Sequence, residues 1–135
     1  MEILFSLAEI DQVAQQIIAS NPNKVIVFHG DMGVGKTTLI KALAKAFGVR
    51  GATSSPTFSL VNEYETENGD RIYHFDLYRL NKEEEAYDMG IDEYLYSDEW
   101  CFIEWPERIP NLIPTDHTTI KIKLASQGKR NLLLK

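Results

Sequence analysis

Apolar side chains recur along the chain in two rhythms, and each rhythm predicts a different kind of element. Glu2 to Phe5 reads as a short strand, and Ser6 and Glu9 then stand at capping-box spacing ahead of Ile10, Val13, Ile17 and Ile18. That helical repeat predicts an amphipathic helix closed by Asn21-Pro22. Val25 to Phe28 is an unbroken apolar run, too short for a helix and rich in β-branched residues, so it reads as a strand buried on both faces. Leu39, Ile40, Leu43 and Phe47 return to helical spacing, with Lys41 and Lys45 on another face and Gly48 as a stop. Phe58 to Tyr64 and Arg71 to Phe75 flank Asn68-Gly69, which predicts a β-hairpin. Asn81 to Met89 and Ile91 to Tyr96 read as two short helices, and Trp100 to Ile103 as another buried strand. Thr118 to Leu124 and Arg130 to Leu134 read as closing strands.

Between the strand ending at Phe28 and the helix carrying Leu39 lies Gly30-Asp31-Met32-Gly33-Val34-Gly35-Lys36-Thr37, which fits the pattern G-x-x-x-x-G-K-[ST]. Glycines let the backbone turn tightly, so that successive N–H groups can approach phosphate oxygens without a Cβ in the way. A helix starting at Lys36 would present its unsatisfied N–H groups and positive dipole end to the same anion. Lys36 would add a mobile charge toward the β and γ phosphates, and the Thr37 hydroxyl could ligate the Mg2+ that bridges them. The implied cofactors are ATP and Mg2+, with Gly33, Val34, Gly35, Lys36, Thr37 and Thr38 as the binding residues. Strand, glycine loop and helix in that order, with a hairpin further on, predict an α/β, P-loop NTPase-like three-layer fold around a central mixed β-sheet.

With 135 residues, the chain is expected to form a single domain, residues 1–135, around one site. Its 44% hydrophobic and 25% charged residues are those of an ordinary globular protein. No stretch approaches the roughly 18 apolar residues of a membrane span, and no basic leader precedes the first strand, so a cytoplasmic location is expected. The lone Cys101, inside an apolar run, is expected to be a buried, inert thiol. A formal net charge of −6 opposes direct binding to DNA or RNA, since such affinity comes from clustered bases neutralising phosphates. The charge is also uneven: Glu83 to Glu99 holds eight acids and no base, and Lys121 to Lys135 five bases and no acid. The acidic stretch reads either as a solvated face or as a docking surface.

A phosphate loop needs an acid at a neighbouring strand end to hold the metal or place a water. Glu104 follows the run Trp100 to Ile103, and Asp76 ends Tyr73-His74-Phe75-Asp76; either could serve, and either could be a surface acid at a strand end. Trp105 could pack in the core or stack on a ligand. His29, His74 and His117 share no metal-ligand spacing and read as structural.

Taken together, Gly30 to Thr38, Ser55-Pro56-Thr57-Phe58, His74-Phe75-Asp76-Leu77-Tyr78-Arg79-Leu80 and Glu104-Trp105-Pro106-Glu107 resemble the bacterial TsaE family, formerly YjeE, in order and spacing. The resemblance implies an ATPase required for threonylcarbamoyladenosine modification of tRNA, acting with TsaD and TsaB proteins and reaching tRNA only through them. By similarity, Lys36 and Thr37 bind phosphates and Mg2+, Glu104 is the acid at the metal, and Asp76 positions metal or water. Thr57 would lie in a loop that senses the γ-phosphate, and Trp105 against the nucleotide. Family members often carry a Gly-Arg pair near the C-terminus where this chain has Gly128-Lys129-Arg130, so that Lys129, or Arg130 in its place, would approach the nucleotide. Where Ile10 stands, threonine is common.

Two other functions compete with a partner-coupled ATPase. One is an ATP-gated adaptor in which binding orders the Ser54 to Phe58 loop and hydrolysis is inessential. The other is a small-molecule kinase, which would want arginines grouped over the phosphates, whereas the five here are scattered. A GTPase is disfavoured because Asn81-Lys82-Glu83-Glu84 lacks the aspartate of a guanine reader.

Overall fold

The computed structural model describes residues 1–49 and 60–135. Among the described residues, seven strands form one sheet: β1 (Glu2–Phe5), β2 (Val25–His29), β3 (Val61–Glu65), β4 (Arg71–Asp76), β5 (Trp100–Glu104), β6 (Thr118–Leu124) and β7 (Arg130–Leu134), in the spatial order β1-β7-β6-β2-β5-β4-β3. The central strands β6, β2, β5 and β4 pair parallel, while β7, β1 and β3 join antiparallel at the flanks. The sheet is therefore mixed, as the hairpin signal requires, and β3–β4 is that hairpin.

Alternation along the central strands sends side chains to two separate cores. Ile26 and Phe28 of β2, Phe102 of β5 and Ile120 and Ile122 of β6 pack with α1 (Ile10–Ala19) and α2 (Lys36–Ala46). Val25, Val27, Cys101 and Ile103 point the other way, into a core closed by α3 (Glu83–Asp88), α4 (Ile91–Leu95), Leu77, Leu80 and Ile109. Helices thus cover both faces in three layers, which is why β2 and β5 read as apolar runs rather than alternating patterns. Each fully buried Phe or Ile contributes about 1.5–3 kcal/mol of burial, and the edge-on Phe28–Phe102 pair, 5.9 Å between centroids, adds about 0.5–1.5 kcal/mol.

The element limits shift by a residue or two from those expected, for local reasons. Residues 7–9 form a single 3-10 turn rather than the first turn of α1; there the Ser6 N–H donates to Glu9 Oε1 at 2.9 Å. Asn21 takes the left-handed conformation that ends α1. The third helix is shorter than Asn81 to Met89, because Lys82 is extended and donates its N–H to Glu85 Oε1 at 3.1 Å, so that it caps the helix. Strands β2, β4 and β5 each run one residue past their apolar stretch, to His29, Asp76 and Glu104. The start of the expected Phe58 to Tyr64 strand lies outside the described residues. No described helix is long and apolar enough to cross a membrane.

Cys101 is fully buried, its thiol donates to the Tyr94 carbonyl at 3.2 Å, and burial pushes its pKa up to about 12, with Glu99 adding to the shift. The native protein should therefore resist a thiol-disulfide reagent at pH 8 and react at once when unfolded. Fast reaction without denaturant would show that this core opens.

Candidate functional site

The glycine-rich segment leaves the C-terminal end of β2, and Lys36 opens α2 immediately beyond it. Gly35 precedes the helix at φ 114°, a conformation that L side chains rarely adopt. Gly30 is needed for space: a Cβ there would lie 2.8 Å from Val34 Cγ1 and 2.9 Å from the Ile122 carbonyl oxygen. The loop therefore rests directly on the backbone of β6. Its far side is tied to β7, where Arg130 Nε donates to the Val34 carbonyl at 3.2 Å.

Beside the loop is a cleft of about 270 Å³ lined by Leu7, Met32, Gly33, Gly35, Lys36, Thr37, Thr38, Asp76, Tyr78, Glu104 and Trp105. A larger cavity of about 620 Å³, between Pro22–Val25 and Pro114–Asp116, contains none of the candidate residues and lies at the other end of β2. The smaller cleft sits at the C-terminal ends of parallel strands, where ligands of open α/β sheets gather.

Within the cleft the polar groups are already paired with one another. The Thr37 hydroxyl donates to the Glu104 carboxylate, at 2.9 Å from Oε1 and 3.1 Å from Oε2. Glu104 is only 3% exposed, and its Oε2 also lies 2.6 Å from His74 Nε2. The Lys36 ammonium donates to the Gly30 carbonyl at 2.6 Å and lies 3.7 Å from the centroid of the Trp105 ring. Burial lowers the Lys36 pKa below the ordinary lysine value, opposed in turn by Glu104, Glu107, Asp76 and Asp31. Asp76 pairs in register with Glu104 across β4 and β5, is exposed, and accepts the Tyr78 N–H at 3.2 Å.

The sequence-derived candidates Gly33, Gly35, Lys36, Thr37, Thr38, Asp76, Glu104 and Trp105 are thus brought together in one cleft, with Val34 buried beneath the loop. Trp105 is half-buried: its ring packs against the second core, as the first of its two readings expects, and its remaining neighbours include Lys36 and Tyr78. Lys129 is exposed and lies outside the cleft lining; its charge bears on Glu9, and the described contact to the loop comes from Arg130. Thr57, the Ser55-Pro56-Thr57-Phe58 block and the Ser54 to Phe58 loop lie outside the described residues.

His74 is the residue that sequence reasoning passed over as structural. The available signal was parity: His74 and Asp76 are two apart on one strand and so share the face that carries α2. Two oxygen groups on different elements, Thr37 Oγ1 and the Glu104 carboxylate, converge on one point, and hard oxygen donors of this kind suit Mg2+.

A mixed sheet with helices on both faces and a glycine loop leading from its central strand into a helix defines the P-loop class of α/β folds. The family model described as threonylcarbamoyl adenosine biosynthesis protein TsaE matches residues 4–132. The tRNA threonylcarbamoyladenosine biosynthesis protein TsaE of Rickettsia bellii (strain RML369-C) is 40% identical over 130 residues, covering 95% of this chain and 89% of that protein. Its counterpart in Bacillus subtilis (strain 168) is 35% identical over 113 residues, covering 84% and 70%. The crystal structure of Bacillus subtilis YdiB superposes with a TM-score of 0.72 at 26% identity, covering 98% of this chain and 83% of that one. The chain belongs to the TsaE family, and its role falls in the biosynthesis of tRNA threonylcarbamoyladenosine.

Because the Ile122 carbonyl is backbone and cannot swing aside, Gly30→Ala should displace the loop and cost about 1–3 kcal/mol in urea unfolding. Unchanged stability would mean that the loop is not seated on β6 as described.

Proposed function

We propose that this chain is a cytoplasmic Mg2+-dependent ATPase that serves threonylcarbamoyladenosine formation by acting on TsaD and TsaB, with tRNA engaged only through them. The observation that carries this reading is the Thr37–Glu104 pair, at 2.9 and 3.1 Å, set beside Lys36 at the mouth of the phosphate loop. The N–H groups of the loop and of the first turn of α2 bind the β and γ phosphates. Lys36, drawn from the Gly30 carbonyl, adds its charge to the same oxygens. Thr37 and Glu104 would hold Mg2+, which when bound would supply charge neutralisation at the phosphates. Asp76, exposed in the cleft opposite the loop, orients the attacking water. That water displaces ADP from the γ-phosphorus: its oxygen bonds to phosphorus as the bond to the β–γ bridging oxygen breaks. Trp105 lies against the nucleotide, Lys129 or Arg130 approaches it, and Thr57 senses the γ-phosphate.

Catalysis of this kind is chiefly positioning and charge stabilisation. The isolated chain should therefore turn over slowly and be accelerated by TsaD and TsaB. Equal rates with and without those proteins would overturn the coupling. Glu104→Gln should slow hydrolysis by about 100-fold or more. If that variant still supports modification of tRNA in a reconstituted assay, the chain is an ATP-gated adaptor instead.

The affinity for ATP should also depend on pH. The ammonium form of Lys36 binds phosphate, and burial holds its pKa below the ordinary value. Binding should be complete at neutral pH and weaken as pH rises through that depressed pKa, earlier than for a solvated lysine. Calorimetry across the alkaline range would show it, and a flat profile there would remove Lys36 from the phosphate contacts.

A further inference from the structure

Outside the groups that line the cleft, the buried polar residue that calls for a role is His74. It is 4% exposed, lies on β4 beneath the cleft and places Nε2 2.6 Å from Glu104 Oε2. The Tyr64 ring stacks on it at 6.4 Å and 27°. Its Nδ1 is buried and has no hydrogen-bond partner among the described residues. The neighbouring same-face position on β4 is filled by the apolar Ile72. For packing alone, an apolar side chain would serve better. The polar residue is explained by what its other nitrogen does.

Among the described residues, Glu104 Oε1 meets Thr37 alone, whereas Oε2 is shared between Thr37 at 3.1 Å and His74 at 2.6 Å. The imidazole thus pins one oxygen and, with it, the plane of the carboxylate, so that both oxygens face the Thr37 hydroxyl. A carboxylate free to rotate would present that geometry only part of the time. We propose that His74 is a positioning residue that sets the divalent-cation affinity of the Thr37–Glu104 pair. This rests on the functional reading above and names the residue on which its metal site depends.

Mn2+ followed by electron paramagnetic resonance is the probe, with ATP binding in EDTA measured alongside. His74→Ala should weaken Mn2+ binding to the ATP-loaded protein by about 10–100-fold and leave metal-free ATP binding within about twofold. His74→Gln, whose amide nitrogen reaches about as far as Nε2, should restore most of the loss, and the shorter His74→Asn should not. Because His74 acts through Glu104, adding His74→Ala to Glu104→Gln should cost no further affinity. The proposal is overturned if His74→Ala binds Mn2+ as wild type does, if it weakens Mn2+ and metal-free ATP alike, or if the two effects add fully in the double variant. Should circular dichroism show His74→Ala unfolded, the Gln and Asn variants decide, and equal Mn2+ affinity in those two overturns it. Wild-type protein that takes up neither ATP nor Mn2+ overturns the functional reading and this inference together. Wild type that binds both, with unaltered variants, overturns this inference alone.

Discussion

A single buried carboxylate imposes the tightest constraint on this molecule. Taking an ion out of water costs several kcal/mol, and Glu104 at 3% exposure is tolerable only with its partners in place. Those partners come from two different elements, Thr37 on the first turn of α2 and His74 on β4. The strand register and the helix start are therefore coupled. A slip of β4 by one residue would put Tyr73 or Phe75 where the imidazole stands and leave the carboxylate half satisfied. The same requirement keeps the glycine-rich loop close to the end of β5, since the loop runs directly into Lys36 and Thr37.

The central strands β2 and β5 serve that constraint by being buried on both faces. Cores on both sides hold β2 and β5 rigidly, so the loop issuing from β2 has a fixed origin. The loop is then braced from below by the backbone of β6 at Gly30 and from the side by Arg130 of β7. The antiparallel β6–β7 pair thus braces the cradle as well as closing the sheet.

Much of this was legible in the residues. The order of strand, glycine loop and helix, the hairpin at Asn68-Gly69 and the two apolar strands are local or periodic signals, and local signals survive folding. The cleft was legible in part. Lys36, Thr37 and Glu104 stand out because a motif or a strand end marks them, while His74 does not, since its partner is 30 residues away and only the β4–β5 register brings them together. The tie from Arg130 to Val34 spans 96 residues and carries no sequence signal beyond the presence of a base near the C-terminus. The third helix starts later than its pattern suggests because the extended Lys82 gives its backbone N–H to the Glu85 carboxylate, and a lysine at that position carries no capping signal of its own.

Trp105 has an optical consequence. The chain has two tryptophans, and the Trp105 indole lies 3.7 Å from the Lys36 ammonium, while the other, Trp100, packs on Phe47. A cation against the π-face perturbs the excited state of an indole, so the charge that would grip a phosphate is read out by a native chromophore. Emission from Trp105 in a Trp100→Phe background should shift when Lys36 is removed, and an unaltered spectrum would show that the ammonium does not rest on the ring. The protein thereby carries its own reporter at the point where its chemistry is expected to begin, with no label required.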